Sequence, residues 1–278
     1  MATVIRDDVI KNVRDLPSLP AVVMELLNSI DEDNVDISVL ANKVAQDMAL
    51  TAKTLSLANS SYFAPAVKVT TIQQAITLLG MRNVRTLITK AALSGCFPER
   101  ACKGFDHALF WQHSTATSIA AGILALHLNL NQDYARTAAL LHDIGRLVLV
   151  SCFPQDYASA VELHTEQGIA MLEAERQVFG MDHAEAGALL AANWNFSDTM
   201  RLAIAGHHEP DRPGAGFLAA IVHVANAMVH QIASAEEGHQ IMPSVSRTAW
   251  EALNLDDAIY ARICQEVQVA FEKLQAAT

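Results

Sequence analysis

A chain of 278 residues, 51% of them hydrophobic, is long enough to bury one large core or two smaller ones sharing an interface. Its net charge of −11 opposes general attraction to phosphate backbones, so nucleic acid is not an expected partner. The longest apolar runs, Ile119 to Leu126 and Phe217 to Ala225, fall short of the roughly 18–20 residues that cross a bilayer, so no membrane partner is expected either.

Apolar residues recur at three- and four-residue spacing almost throughout, while alternating β-branched runs bounded by tight turns are nearly absent; the pattern predicts an all-α fold of roughly a dozen helices. Pro17 and Pro20 separate the first helix from the second. Asp36 and Thr71 are expected N-caps, Pro65 closes a turn, and Gly80 stands where a helix-ending glycine belongs. The polar run Asn59, Ser60, Ser61, followed by Tyr62 and Phe63, reads as a helix C-terminus whose side chains satisfy orphan carbonyls. These elements make an N-terminal lobe of residues 1–100. The segment FPERACKGF interrupts the pattern, and a second lobe runs from 105 to 278 with longer helices rich in Ala and Leu. A polar stretch from Glu236 to Pro243 precedes two amphipathic helices, Val245–Leu253 and Asp257–Leu274.

The segment ISVLANKVAQDMALTAKTLSLANSS has helix-turn-helix spacing, but its cations are only Lys43 and Lys53, with Asp47 between them, so helix packing is the expected role. Trp111, Trp194 and Trp250 are expected in the core. Cys96, Cys102, Cys152 and Cys264 form neither a CxxC pair nor a zinc spacing, which suggests thiols in the cytoplasm.

Chemistry concentrates in the second lobe, because all eleven histidines lie beyond residue 106. In LLHDIGRL, His142 and Asp143 are adjacent polar residues inside an apolar helix, and a buried imidazole and carboxylate need partners. A divalent metal satisfies both; so does a direct His–Asp hydrogen bond. His113 on the preceding long helix, His183 at the start of HAEAGALLAANW, and His207 with His208 at the end of MRLAIAGHHE could aim further nitrogens at the same cavity. His107, His127, His164 and His239 are expected at the surface or bonded to helix ends.

This order of motifs resembles the HD superfamily of metal-dependent phosphohydrolases. His113 matches the first ligand, His142 and Asp143 the HD pair, His183 the histidine of an HxxxG motif, and His207 with His208 the HH pair of the HD-GYP type. The resemblance implies one or two divalent ions, Fe, Mn, Zn, Ni or Mg. In the HD-GYP arrangement Asp143 would bridge two of them, one held with His113, His142 and a late aspartate, the other with His183, His207 and His208. Two positions depart from that pattern. The late aspartate should fall in FLAAIVHVANAM, where Asn226 stands; a neutral amide is a weaker ligand and cannot neutralise a dication. His230 and His223 are weaker candidates to replace it. Arg146 takes the place of a lysine and can clamp phosphate but cannot donate a proton at neutral pH.

Upstream, LPSLPAVVMELL, ANSSYF and TTIQQAITLLGMRNVRTLI resemble the N-terminal half of HDOD proteins, HD-related output domains of bacterial signal transduction, so that the resemblance covers about residues 15 to 230. It implies a two-lobed helical output or regulatory protein with a partly degenerate metal site, working with signalling proteins or a small phosphorylated ligand and with room for a homodimer. The alternative is a metal-dependent phosphohydrolase acting on a phosphodiester or nucleotide, with Asp143 and Arg146 as its catalytic residues.

Overall fold

A computed structural model of the chain describes residues 6–28, 37–60, 63, 65–97, 99–237 and 245–275. Among them there are helices and no strands, as the apolar periodicity predicts. In chain order the helices are α1 (Arg6–Asp15), α2 (Ala21–Asn28), α3 (Ile37–Gln46), α4 (Met48–Ala58), α5 (Ile72–Leu79), α6 (Met81–Cys96), α7 (His107–His127) and α8 (Gln132–Leu141). They continue with α9 (Ile144–Cys152), α10 (Pro154–Gln167), α11 (Met171–Phe179), α12 (His183–Asn193), α13 (Asp198–Gly206), α14 (Gly216–Glu237), α15 (Arg247–Ala252) and α16 (Asp257–Gln275). Two compact units result, one of Met1–Leu16 with Phe97–Gln268, the other of Pro17–Cys96 with Val269–Thr278.

In the smaller unit α4 and α5 pack on α6, and α3 on α4 and α5. Leu50, Thr54 and Ala58, one turn apart on α4, are buried, so the face that a recognition helix would present is used for packing. Thr71 caps α5 by accepting from the Gln74 N–H at 3.1 Å, and Gly80 ends it at φ +80°, a backbone that side-chain-bearing residues rarely adopt. Asn59 serves as the expected terminus: its Nδ2 donates to the carbonyls of Leu55 and Val69 at 2.7 and 2.8 Å. The expected cap Asp36, together with Ser61 and Tyr62, lies outside the described residues.

The larger unit takes in α1, whose Val9 and Val13 are buried and which packs on α9 and α12. Around the site, α7, α8 and α14 pack on one another, while α12 lies against α9 and α13, and α13 against α14. Residues 216–233 of α14 are long and apolar enough to cross a membrane, but 61% of them are buried inside the protein, as in a core helix. Trp111 and Trp194 are buried, whereas Trp250 is half-buried and packs on Tyr260 with centroids 5.0 Å apart.

Candidate metal centre

LLHDIGRL has the spacing of one apolar helix around His142 and Asp143; in the structure the helix is interrupted there. α8 ends at Leu141, α9 starts at Ile144, and the two polar residues form the joint. Asp143 occupies the N-cap position of α9, yet its side chain makes no cap hydrogen bond. Its carboxylate is engaged elsewhere. Oδ1 lies 3.1 Å from Nε2 of His183, 3.4 Å from Nε2 of His207 and 3.6 Å from Nε2 of His142, while Oδ2 accepts from Nη1 of Arg146 at 3.3 Å.

Four helix ends and one helix interior deliver these groups. His183 is the first residue of α12, behind the cap Asp182, whose Oδ1 accepts from the Glu185 N–H at 2.9 Å. His207 closes α13. His208 follows it, with Nε2 3.0 Å from Nε2 of His183. His113 comes from inside α7, its ring centroid 5.4 Å from that of His142. Asn226 is buried on α14.

The tautomers follow from the backbone. His142 Nδ1–H donates to Ala139 O and His207 Nδ1–H to Ile204 O, both at 2.7 Å, which leaves a lone pair on each Nε2. Those two Nε2 atoms, Nε2 of His113 and Oδ1 of Asn226 are all buried with no hydrogen-bond partner among the described residues. Lone pairs thus converge on a carboxylate oxygen, an arrangement of acceptors facing acceptors that a cation would satisfy. Burial, with the neighbouring imidazoles behind it, favours the neutral form of His142, His208 and His113: it pushes the pKa of His142 down to about 4 and lowers those of the other two. Burial also opposes the charged ring of His183, but Glu175 and then Asp143 outweigh it and raise its pKa to about 9. Asp143 stays ionised, because His142, Arg146 and His183 outweigh its burial.

The donors fit a metal. They form two groups, Asp143 with His183, His207 and His208, and His113 with His142 and Asp143, the atoms of each within 4.8 Å of one another. Donors about 2.1 Å from a tetrahedral ion stand about 3.4 Å apart, close to the separations around Oδ1. Imidazole nitrogens with one carboxylate suit Mn, Fe or Zn. Asn226, one turn before His230 on α14, has a buried amide oxygen that carries no charge.

Several histidines outside this set are accounted for. His223 is braced on both nitrogens, Nδ1 donating to His207 O at 2.8 Å and Nε2 accepting from the Ser246 N–H at 3.0 Å, which removes it as a substitute ligand. The ring of His230 packs tilted against His113, centroids 4.7 Å apart, but belongs to neither donor group. His107 reaches Arg100 O, His127 pairs with Glu266, and His164 bonds Ile169 O near the end of α10; His239 lies outside the described residues.

Two features of the site escape the sequence reading. Glu175 on α11 is fully buried and bonds both the backbone and the ring of His183. Its signal is a charged residue on the apolar stripe of α11, one turn from Phe179. The second is a pair of glycines, Gly145 and Gly187, where α9 crosses α12: a Cβ on Gly145 would stand 1.9 Å from His183 O and 2.6 Å from the Gly187 nitrogen. The glycines of HDIG and HAEAG are the two sides of this one crossing.

A family model for the HDOD domain matches residues 16–210. The chain belongs to the HDOD family. This HDOD domain is 27% identical over 204 residues to an uncharacterized protein of Treponema pallidum, and 32% identical over 117 residues to ribonuclease Y of Syntrophotalea carbinolica, which ties it to the HD phosphohydrolases. Those alignments take 70% and 42% of the chain but only 38% and 17% of the relatives' own lengths. Among solved structures, the HDOD domain is similar to a protein of Shewanella amazonensis SB2B carrying a provisional phosphohydrolase name, with TM-score 0.71 and 28% identity over 97% of this chain and 98% of that one. It is also similar to MmoQ, a response regulator of Methylococcus capsulatus, with TM-score 0.52 and 25% identity over 89% and 98%.

Proposed function

We propose that this HDOD domain is a signal-transduction output protein whose Asp143-centred cluster holds a single divalent ion, with phosphodiester hydrolysis weak or absent. The observation that supports it is the asymmetry of the cluster. Asp143, His183, His207 and His208 form a set of three imidazoles and a carboxylate, whereas His113 and His142 have only a share of Asp143, and the α14 position where the HD pattern has a second carboxylate holds the neutral amide of Asn226. A dication in a partly dehydrated cavity depends on facing anions, because charge interactions there are stronger than in water. The response-regulator name of one structural neighbour agrees with an output role.

The rival reading is a metal-dependent phosphohydrolase, and Arg146 favours it. Its guanidinium sits against Asp143 with its side chain partly exposed, and from there it would hold a substrate phosphate beside the cluster. A bound divalent ion would supply Lewis acidity and an acidified water. In either reading the setting we propose is the cytoplasm, with signalling proteins or a small phosphorylated ligand as partners; recovery of the chain in membrane fractions after cell lysis would contradict this.

Metal content and hydrolysis of a generic phosphodiester test the assignment. Under matched manganese or iron loading, the natural protein should retain about one ion per chain and turn over near background. Asn226→Asp should retain a second ion, because the new carboxylate brings a full negative charge to the His113 and His142 side. Robust metal-dependent turnover by the natural protein, lost in Asp143→Ala, would make it an enzyme.

A further inference from the structure

Glu175 is a carboxylate with no exposed surface, in a helix that otherwise buries only Ala174 and Phe179. Cores exclude such groups unless they are bonded. One oxygen of Glu175, Oε2, accepts twice from the same residue: from the His183 backbone N–H at 2.8 Å and from its ring Nδ1–H at 2.7 Å. The backbone bond fixes where α12 begins, and the ring bond fixes how the imidazole is turned. Nε2 is thereby aimed at Asp143 Oδ1 and His208 Nε2, 3.1 and 3.0 Å away.

The next residue serves the same end of the site. Arg176 reaches Asp182, the cap in front of His183, at 2.7 Å, and Glu209, the residue after His208, at 3.1 Å. Consecutive side chains of α11 therefore hold both segments that carry the nitrogen donors of the group formed by Asp143, His183, His207 and His208.

The geometry points to Glu175 as the positioning residue of this centre: it sets the rotation and tautomer of His183 and, as an anion one ring away, strengthens that imidazole as a donor to a divalent ion. The inference rests on the reading that the cluster binds such an ion. Metal-bound histidines commonly give their second nitrogen to a carboxylate, and removing that partner costs about 10–100-fold in metal affinity.

Cobalt(II) added to the metal-free protein is the probe, followed by its visible ligand-field absorption in the natural protein, Glu175→Gln, Glu175→Ala, His183→Ala and the double variant Glu175→Ala/His183→Ala. Glu175→Ala should weaken cobalt binding by about 10–100-fold and alter the absorption bands as His183 loses its fixed orientation. Glu175→Gln should fall between it and the natural protein, since an amide oxygen can still accept from the ring but carries no charge. With His183 already removed, losing Glu175 should change affinity less than about twofold, because its effect runs through that ring. Unchanged affinity and bands in Glu175→Ala would overturn the inference. So would an equal loss in both backgrounds, which would mark Glu175 as general packing. If the natural protein binds no cobalt, the proposed function falls, and Glu175 is judged by nitrogen NMR of the metal-free His183 ring. A protonated Nδ1 whose signal moves in Glu175→Ala supports the positioning role; unchanged ring nitrogens refute it.

Discussion

Asp143→Ala should leave the protein unable to retain a divalent ion in either donor group, the largest loss of metal that one substitution can cause here. Both groups depend on this residue, and its Oδ1 is the atom around which the Nε2 atoms of His142, His183 and His207 are arranged. Without it the remaining imidazoles face one another with no anion to offset a dication. The metal-free protein should suffer too. Asp143 is buried and pairs with His183 and Arg146, and breaking a buried charged pair costs about 3–5 kcal/mol. The lower end is expected, because His183 can shed its proton and Arg146 is partly exposed. Metal analysis after dialysis and a melting curve with chelator present read the two effects separately. Retention of metal at the natural stoichiometry would place the ion somewhere other than this cluster.

Gly145→Ala should be the most disruptive change of a single methyl group. Gly145 is helical, so alanine would ordinarily gain up to about 1 kcal/mol from its better helix propensity. At this position the new Cβ meets backbone on both sides, His183 O at 1.9 Å and the Gly187 nitrogen at 2.6 Å. Neither atom can swing aside as a side chain would. Overpacking of a core costs roughly 1–3 kcal/mol where side chains can yield, so at least about 3 kcal/mol is expected here. At about 2–4 °C per kcal/mol, the midpoint of thermal unfolding should fall by roughly 6–12 °C. Metal affinity should fall with it, since α12 carries His183 and must move outward. Gly168→Ala is the contrasting case: φ is +64° and nothing lies within 4 Å of the added carbon, so the cost is the backbone strain alone, about 1–2 kcal/mol. Equal melting of Gly145→Ala and the natural protein would mean that α9 and α12 do not cross so closely.

What the sequence discloses about this protein divides along a physical line. Helix periodicity, the Thr71 cap and the Gly80 terminus are local properties, and they appear in the structure where the residues predict them. The ligand-type residues His113, His142, Asp143, His183, His207 and His208 are legible because ordered motifs carry them, and the fold brings them into the two overlapping groups. The break between α8 and α9 is not legible, because LLHDIGRL has the apolar spacing of a continuous helix and only the backbone at Asp143, φ −96° and ψ 11°, departs from it. Glu175 is eight residues from His183 in sequence and reads as an ordinary charge on a short helix until burial is known. His223 shows the converse: its spacing from Asn226 allows a ligand, and only the tertiary bonds to His207 and Ser246 show that both nitrogens are already in use. The part played by α1 in the larger unit is equally tertiary.

The bonds of His223 also make a linkage. One rigid, planar ring joins the carbonyl of a candidate ligand residue to the first amide of the turn that starts α15, and Ser246 at that turn is further tied to Asp211 at 2.7 Å. A ring of this kind cannot stretch. A displacement of the α15 end must either break the Ser246 bond or carry His223, and with it the His207 corner, along. By the same constraint, a shift of the His207 carbonyl bears on the His223–Ser246 bond at the start of α15.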